Sequence, residues 1–148
     1  MTIYRVSKDK WKDDLSGGGG LKSEGRWHYK GIPIIYASES KAVAKKEKQR
    51  GPAGKIIPDG YVYVAYEIPD DLEILELTRE DLKEIPWDMT PYKNGVAQRI
   101  GELLLEEGKY AVIKVPSVVD DKAYNYIINP NHPDASRITI TDSFKKVK

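Results

Sequence analysis

Alternation of apolar and polar positions along much of this chain predicts short β-strands. The clearest case is residues 61–68, which are rich in aromatic and β-branched side chains and are followed by Pro69. Further strands are predicted at residues 2–6, 32–37, 72–77, 110–115, 127–128 and 138–140. In the first of these, Ile3 and Arg5 share one face, so Arg5 is expected to project from a regular element.

Apolar residues at helical spacing, bounded by capping residues, predict two longer helices. Ser38 or Ser40 caps the first helix, which runs to about residue 50 and ends at the glycine and proline of positions 51–52. Asn94 caps the second helix, which ends at Gly108. The core stripe of the second helix is predicted to consist of Val96, Ile100, Leu103 and Leu104.

Two shorter segments complete the prediction. Thr78 and Asp81 form a capping box for a short helix before Pro86. The four glycines of positions 17–20 predict a loop, either a flexible linker or a segment that closes over a ligand.

Strands outnumber helices and do not alternate with them, which predicts an α+β fold with a mixed or antiparallel sheet. We expect a single domain over residues 1–148, with a flexible, solvated basic tail at 145–148.

Composition excludes several classes of site. The 24 basic and 23 acidic residues nearly cancel, so no broad positive field for direct nucleic-acid binding is expected. Cysteine is absent, and the two histidines lack metal-ligand spacing, so no metal is predicted. No apolar run approaches the ~20 residues of a membrane span, and no signal-peptide core is present, so a cytoplasmic protein is expected.

Arginine, tyrosine, glutamate and serine residues remain as candidates for chemistry. Arginine pairs with pyrophosphate, tyrosine stacks on planar rings, and a carboxylate stabilises an oxocarbenium-like transition state. These types suit cleavage of an N-glycosidic bond in a dinucleotide. Glu47 is the notable carboxylate, because it shares a helical stripe with apolar Val43. An ion pair with Lys46, Lys48 or Arg50 is the alternative explanation, and periodicity leaves both open.

The order of several short motifs is more specific than any one of them. They are Tyr4-Arg5-Val6, Asp14-Leu15-Ser16-Gly17, Gly25-Arg26-Trp27, Gly31-Ile32-Pro33, Tyr36-Ala37-Ser38-Glu39-Ser40, Ala44 with Glu47, Gln98 with Gly101, Val115-Pro116-Ser117 and Asn125-Tyr126-Ile127-Ile128-Asn129-Pro130. In this order, over nearly the whole chain, they resemble the RES domain family.

The resemblance implies an ADP-ribosyltransferase-like fold with an NAD-binding cleft. It also implies an NAD-degrading toxin, neutralised by an Xre-type helix-turn-helix antitoxin with which it forms an oligomeric complex. Carried over by position, it assigns the catalytic carboxylate to Glu47, and it assigns catalytic or NAD-binding roles to Arg5, Tyr36 and Ser117. The remaining NAD-binding residues it implies are Arg26, Trp27, Ser38 and Asn129. Water or phosphate would accept the ADP-ribose.

Two departures keep alternatives open. His28 stands where the family usually has asparagine, and Tyr124 stands where it often has arginine. A second enzymatic hypothesis is ADP-ribosylation of a protein, although such transferases often carry an acidic residue where this chain has Lys45. A third is a degenerate, non-catalytic RES module that binds an antitoxin or a nucleotide.

Overall fold

The structure is a computed structural model that describes residues 1–49, 56–89, 95–141 and 145–147. Its strands in chain order are β1 (Thr2–Lys8), β2 (Ile35–Ser38), β3 (Tyr61–Glu67), β4 (Ile74–Glu76), β5 (Val112–Pro116), β6 (Tyr124–Ile128) and β7 (Thr139–Ile140). Its α-helices are α1 (Gly18–Lys22), α2 (Lys41–Gln49) and α3 (Val96–Glu107). Short 3₁₀ turns follow β1 and precede β7.

The described strands form one sheet in the order β4-β5-β6-β2-β1-β3-β7. Only β4 and β5 pair in parallel, and the other neighbours are antiparallel. The predicted α+β class with a mixed sheet is therefore confirmed. Within the described residues, no helix has the length and apolar character required to traverse a bilayer.

The register across the central strands brings polar residues into one row. Tyr4 of β1 lies opposite Ser38 of β2, and Ser38 in turn lies opposite Asn125 of β6. Directly opposite residues point to the same face of a sheet. Helix α2 follows β2 after two residues and packs against β1 and β2. The row therefore lies at the place where α2 begins.

Two apolar clusters pack against the sheet. Ile35 and Ala37 belong to the first cluster, while Ile34 and Tyr36 belong to the second. Because neighbouring residues of a strand point to opposite faces, the clusters cover the two sides of β2. The second cluster contains Trp27, which stacks on Trp87 with ring centroids 6.0 Å apart.

The glycine run does not form the predicted loop. Gly17 has φ +72°, and residues from Gly18 onward form α1. A Cβ on Gly20 would lie 2.3 Å from the carbonyl oxygen of Ile32. Glycine is thus required for close packing against the 32–34 segment, and this tertiary contact outweighs the poor helix propensity of glycine. The prediction of an irregular segment was wrong for residues 18–20.

The face that α3 buries also differs from the prediction. Its buried residues are Ala97, Gln98, Gly101 and Leu105. Ile100 and Leu104 pack at the margin, but the side chain of Leu103 is 48% exposed. The cause is Gly101, where a Cβ would lie 1.7 Å from the Trp27 carbonyl oxygen. The helix backbone rests directly on the Trp27 backbone, which rotates the longer apolar side chains away.

Other boundaries shift by a few residues. Gly108 ends α3 with φ +66°, as predicted. Thr78 and Asp81 exchange the predicted capping hydrogen bonds, but the residues after them form turns and no helix. Three predictions lie outside the described residues: the cap Asn94, the end of α2 at residues 50–52, and Lys148 of the tail. Residues 145–147 of the tail, expected to be solvated, pair with β3, where the Tyr63 N–H donates to the Lys145 carbonyl oxygen at 2.8 Å.

Candidate active site

A cavity of about 370 Å³ opens between β1, α1, β2, α2 and the ends of β5 and β6. Its volume is within the range of small-molecule sites. The charged residues that line it are Arg5, Glu24, Arg26, Glu47 and Lys48. The cavity therefore combines three cationic side chains with two carboxylates, which suits a ligand that carries both phosphate and cationic groups.

Glu47 is delivered to this cavity by α2. The side chain of Ser40 accepts a hydrogen bond from the Val43 N–H at 3.2 Å, so Ser40 is the cap residue, one of the two predicted. Val43 and Ala44 are buried, and Glu47 lies one turn further along the helix. Lys46, one of the proposed ion-pair partners of Glu47, has its Nζ 3.5 Å from a carboxylate oxygen of Asp120.

Two donors hold one oxygen of the Glu47 carboxylate. Ser117 Oγ donates to Oε2 at 2.7 Å, and Asn125 Nδ2 donates to the same atom at 2.5 Å. Such hydrogen bonds to a charged acceptor are stronger than those between neutral groups. The carboxylate is thereby fixed between β5, β6 and α2.

The two donors are themselves oriented. The Asn125 side-chain oxygen accepts from Ser38 Oγ at 2.6 Å, which leaves its amide nitrogen toward Glu47. Ser117 Oγ accepts from the Val119 N–H at 3.1 Å, so its only proton goes to the carboxylate. Ser38 and Ser117 are both buried. The arrangement is therefore a preorganised network.

A second hydrogen-bonded chain fixes Tyr36. Its hydroxyl accepts from the Trp27 N–H at 3.1 Å and lies 2.7 Å from His28 Nδ1. His28 Nε2 lies 2.9 Å from the Ser23 carbonyl oxygen, so Nε2 must donate. Burial lowers the pKa of His28, which favours the neutral ring. His28 Nδ1 is then an acceptor, and the Tyr36 hydroxyl donates its proton to it.

Arg5 extends from β1 into the cavity beside α1. A Cβ on Gly19 would lie 3.8 Å from Arg5 Nη2. Burial raises the pKa of the Tyr66 hydroxyl, and the neighbouring charge of Arg5 opposes that rise. Arg5 thus provides a cation between the sheet and the glycine-rich helix.

Arg26 also lines the cavity, but its contacts are largely with the backbone. Its Nη1 donates to the carbonyl oxygens of Trp87 and Met89 at 2.9 and 2.8 Å. Gln98 of α3 adds hydrogen bonds to the carbonyl oxygens of Gly25 and His28. The segment that carries Arg26 is therefore held from two sides.

The structure gathers most of the residues expected from the sequence around one cavity. The residues that line it are Arg5, Arg26, Trp27, Tyr36, Ser38 and Glu47. Ser117 reaches it through its hydrogen bond to Glu47. Asn129 is not among the lining residues, and its Nδ2 donates to the Leu105 carbonyl oxygen at 3.2 Å. Its position is that of a bridge between α3 and the segment after β6.

Sequence reasoning missed two residues of the site, Asn125 and His28. Asn125 belongs to the last motif, and its alternation with Ile127 in β6 placed it on the Tyr36 side of the sheet. The missing information was the β2–β6 register, which is a long-range property.

Among the described residues, no group of three metal-ligating side chains is assembled.

Known proteins resemble this chain in sequence and in fold. A sequence model of the RES domain matches residues 2–145. The Prs ADP-ribosylating toxin of Sphingobium sp. (strain YBL2) is 34% identical over an alignment of 141 residues, and the alignment covers 93% of this chain and 87% of that protein. A protein named Toxin Res from Pseudomonas putida is 29% identical over an alignment of 144 residues, and the alignment covers 95% of this chain and 92% of that protein.

A crystal structure of the M. tuberculosis MbcT-MbcA toxin-antitoxin complex contains a similar fold. The TM-score is 0.74, the match covers 99% of this chain and 83% of the compared chain, and the identity is 18%. This likeness concerns the fold. With the RES sequence model spanning nearly all of its residues and a relative above 30% identity covering most of its length, the chain belongs to the RES domain family.

Proposed function

We propose that this chain is the toxin of a toxin–antitoxin pair and that it consumes NAD by breaking the nicotinamide–ribose bond. Two relatives are named as toxins, and one of them is named as ADP-ribosylating. ADP-ribosylation begins with the cleavage of this same bond. The observation that carries the proposal is the Glu47 carboxylate, held by Ser117 and Asn125 in the wall of a cavity that also contains Arg5.

The chemistry of NAD explains why one carboxylate can be enough. The nicotinamide ring is a cationic pyridinium, so cleavage sends the bonding electrons to the ring nitrogen, and nicotinamide leaves as a neutral molecule. No proton donor is needed for the leaving group. Positive charge develops on the ribose instead, and an oriented carboxylate stabilises such an oxocarbenium-like transition state. Glu47 supplies the negative charge of this carboxylate.

The other lining residues are proposed to bind the rest of NAD. Arg5 and Lys48, which both line the cavity, are cations suited to the pyrophosphate. The Tyr36 hydroxyl donates to His28, so we assign its ring face the role of stacking on nicotinamide. Arg26 holds the backbone of the 87–89 segment and adds positive charge to the lining of the cavity.

We propose water or phosphate as the acceptor of ADP-ribose. A new bond from the acceptor oxygen to the ribose carbon then replaces the bond to nicotinamide, and when water is the acceptor its proton is released to solvent. Lys45, at the position where protein transferases often have an acid, favours this choice. A second candidate is transfer to a protein, and the name of the Sphingobium relative favours it. The two candidates share the cleavage step and differ in the acceptor.

Product analysis tests the proposal. The purified chain is incubated with NAD with and without phosphate, and the products are separated by chromatography. We expect nicotinamide with ADP-ribose or its phosphorylated form. Labelled NAD added to a cell lysate tests the second candidate, which predicts label on a protein band. Absence of nicotinamide under all conditions contradicts the proposal and favours a non-catalytic module.

The partner is proposed to be an Xre-type helix-turn-helix antitoxin in the cytoplasm. The structure with the similar fold is that of a toxin-antitoxin complex, which supports an antitoxin as the partner of this chain. If an Xre-type helix-turn-helix protein is encoded next to this chain, co-expression of the two proteins should yield an oligomeric complex in which NAD consumption is suppressed. Failure of the two proteins to co-purify contradicts this partner.

A further inference from the structure

The loop between β5 and β6 carries Ser117, and its backbone converges on one side chain. Arg79 Nη2 lies 3.0 Å from the Ser117 carbonyl oxygen, 2.9 Å from that of Asp120 and 3.2 Å from that of Ala123. These acceptors belong to the start, the middle and the end of the loop. A single guanidinium therefore sets the shape of the whole loop.

Arg79 is itself held in place. It follows Thr78, which exchanges two hydrogen bonds with Asp81 at 2.9 and 3.0 Å. Its guanidinium carbon lies 5.3 Å from the centroid of the Tyr124 ring, within the range of a cation–π contact. Tyr124 is the first residue of β6. Arg79 thus joins the turn after β4 to the strand that supplies Asn125.

The loop that Arg79 shapes also contacts α2. Ser117 Oγ donates to Glu47 at 2.7 Å, and Asp120 lies 3.5 Å from Lys46, the residue before Glu47. Ser117 N–H donates to the Ala123 carbonyl oxygen, which is also bound by Arg79. A shift of the loop would therefore move the Ser117 hydroxyl away from the carboxylate.

We propose that Arg79 is a positioning residue that holds the 117–123 loop so that the Ser117 hydroxyl reaches Glu47. The expected effect of Arg79 on turnover rests on the proposed function. Its effect on the shape of the loop is independent of that function, because Arg79 contacts the loop within the same chain. Arg79 is absent from the lining of the main cavity, so it acts through Ser117 and not on the substrate.

A double-mutant cycle with Ser117→Ala tests this role. Arg79→Ala is expected to lower kcat for nicotinamide release at least about tenfold, because the Ser117 hydroxyl loses its hydrogen bond to the charged Glu47 carboxylate. We expect little change in KM for NAD. In the Ser117→Ala background the same change should cost less than about twofold. An equal fractional loss in both backgrounds overturns the proposal, because it indicates general damage to the fold.

The matched control is Lys83→Ala. Lys83 lies in the same turn as Arg79, is exposed, and pairs with Glu80 at 2.6 Å. Its loss should leave kcat unchanged. If Arg79→Ala does not fold, Arg79→Lys enters the same cycle, because the lysine side chain is one atom shorter and its ammonium falls short of the three carbonyl oxygens that Arg79 Nη2 reaches. A multiplicative loss from the lysine variant also overturns the proposal.

Amide exchange gives a readout that does not depend on NAD. The Val119 N–H donates to Ser117 Oγ, so its exchange reports the position of the hydroxyl. We expect this amide to exchange faster in Arg79→Lys than in the parent chain and to be unchanged in Lys83→Ala. Unchanged exchange in the Arg79 variant contradicts the proposal. A parent chain with no NAD cleavage contradicts the proposed function alone, and the exchange result still decides the role of Arg79.

Discussion

Asn125→Ala removes one of the two donors that hold the Glu47 carboxylate. The substitution deletes the 2.5 Å hydrogen bond from Asn125 Nδ2 to Oε2. It also deletes the acceptor of the Ser38 hydroxyl, which is bonded at 2.6 Å. The Ser117 hydrogen bond to Glu47 remains, so the carboxylate stays near the cavity but gains rotational freedom.

The expected magnitude follows from the type of bond. A hydrogen bond to a charged group contributes about 1.5–3 kcal/mol. If that contribution is present in the transition state, its loss slows the reaction by about 13-fold to 160-fold, since ~1.36 kcal/mol corresponds to a factor of ten. We therefore expect kcat for nicotinamide release to fall within this range, with KM for NAD little changed.

Asn129→Ala provides a matched comparison for this assay. Asn129 is also a buried asparagine, but its amide bonds the Leu105 carbonyl oxygen, outside the cavity lining. Its loss should lower the free energy of unfolding by about 1–3 kcal/mol and affect kcat far less than Asn125→Ala. Equal loss of kcat in the two variants, at equal stability, would refute the assignment of Asn125 to the site.

Two further predictions concern stability. Gly101→Ala should lower the free energy of unfolding by about 1–2 kcal/mol in urea titrations, because overpacking against the Trp27 carbonyl outweighs the gain in helix propensity. An unchanged or higher stability contradicts the backbone contact. Burial lowers the pKa of His28, so the unfolded chain takes up a proton first as the pH falls below ~6.5. The free energy of unfolding should therefore decline below that pH, and His28→Asn should reduce the decline. An identical pH dependence of unfolding in both proteins contradicts the assignment of this decline to His28.

The local elements were largely predictable from the sequence. The alternation in β3 and the cap at Ser40 arise from interactions within a few residues, and both occur in the structure. The helical turn at Gly18 and the buried face of α3 were not predictable in this way. Both depend on close backbone contacts between distant segments, which glycine permits but periodicity does not reveal.

The candidate site was predictable only in part. Residue types and the family resemblance together indicated Glu47 and Ser117. In the structure, Ser117 Oγ lies 2.7 Å from Glu47 Oε2. Neither the residue types nor the resemblance could distinguish Asn125 from Asn129, because the choice depends on which asparagine lies opposite Ser38 once β2 and β6 pair. Likewise, Arg79 is distant in sequence from the loop it holds, so no local pattern connects them.

The most direct test of the central claim is the rate of nicotinamide release by the parent chain and by Glu47→Gln. The glutamine has nearly the same shape but lacks the negative charge that is proposed to stabilise the ribose cation. We predict release of nicotinamide by the parent chain and a loss of at least about 100-fold in the variant, at unchanged thermal stability. A folded Glu47→Gln protein that cleaves NAD at a rate close to that of the parent chain would contradict the account.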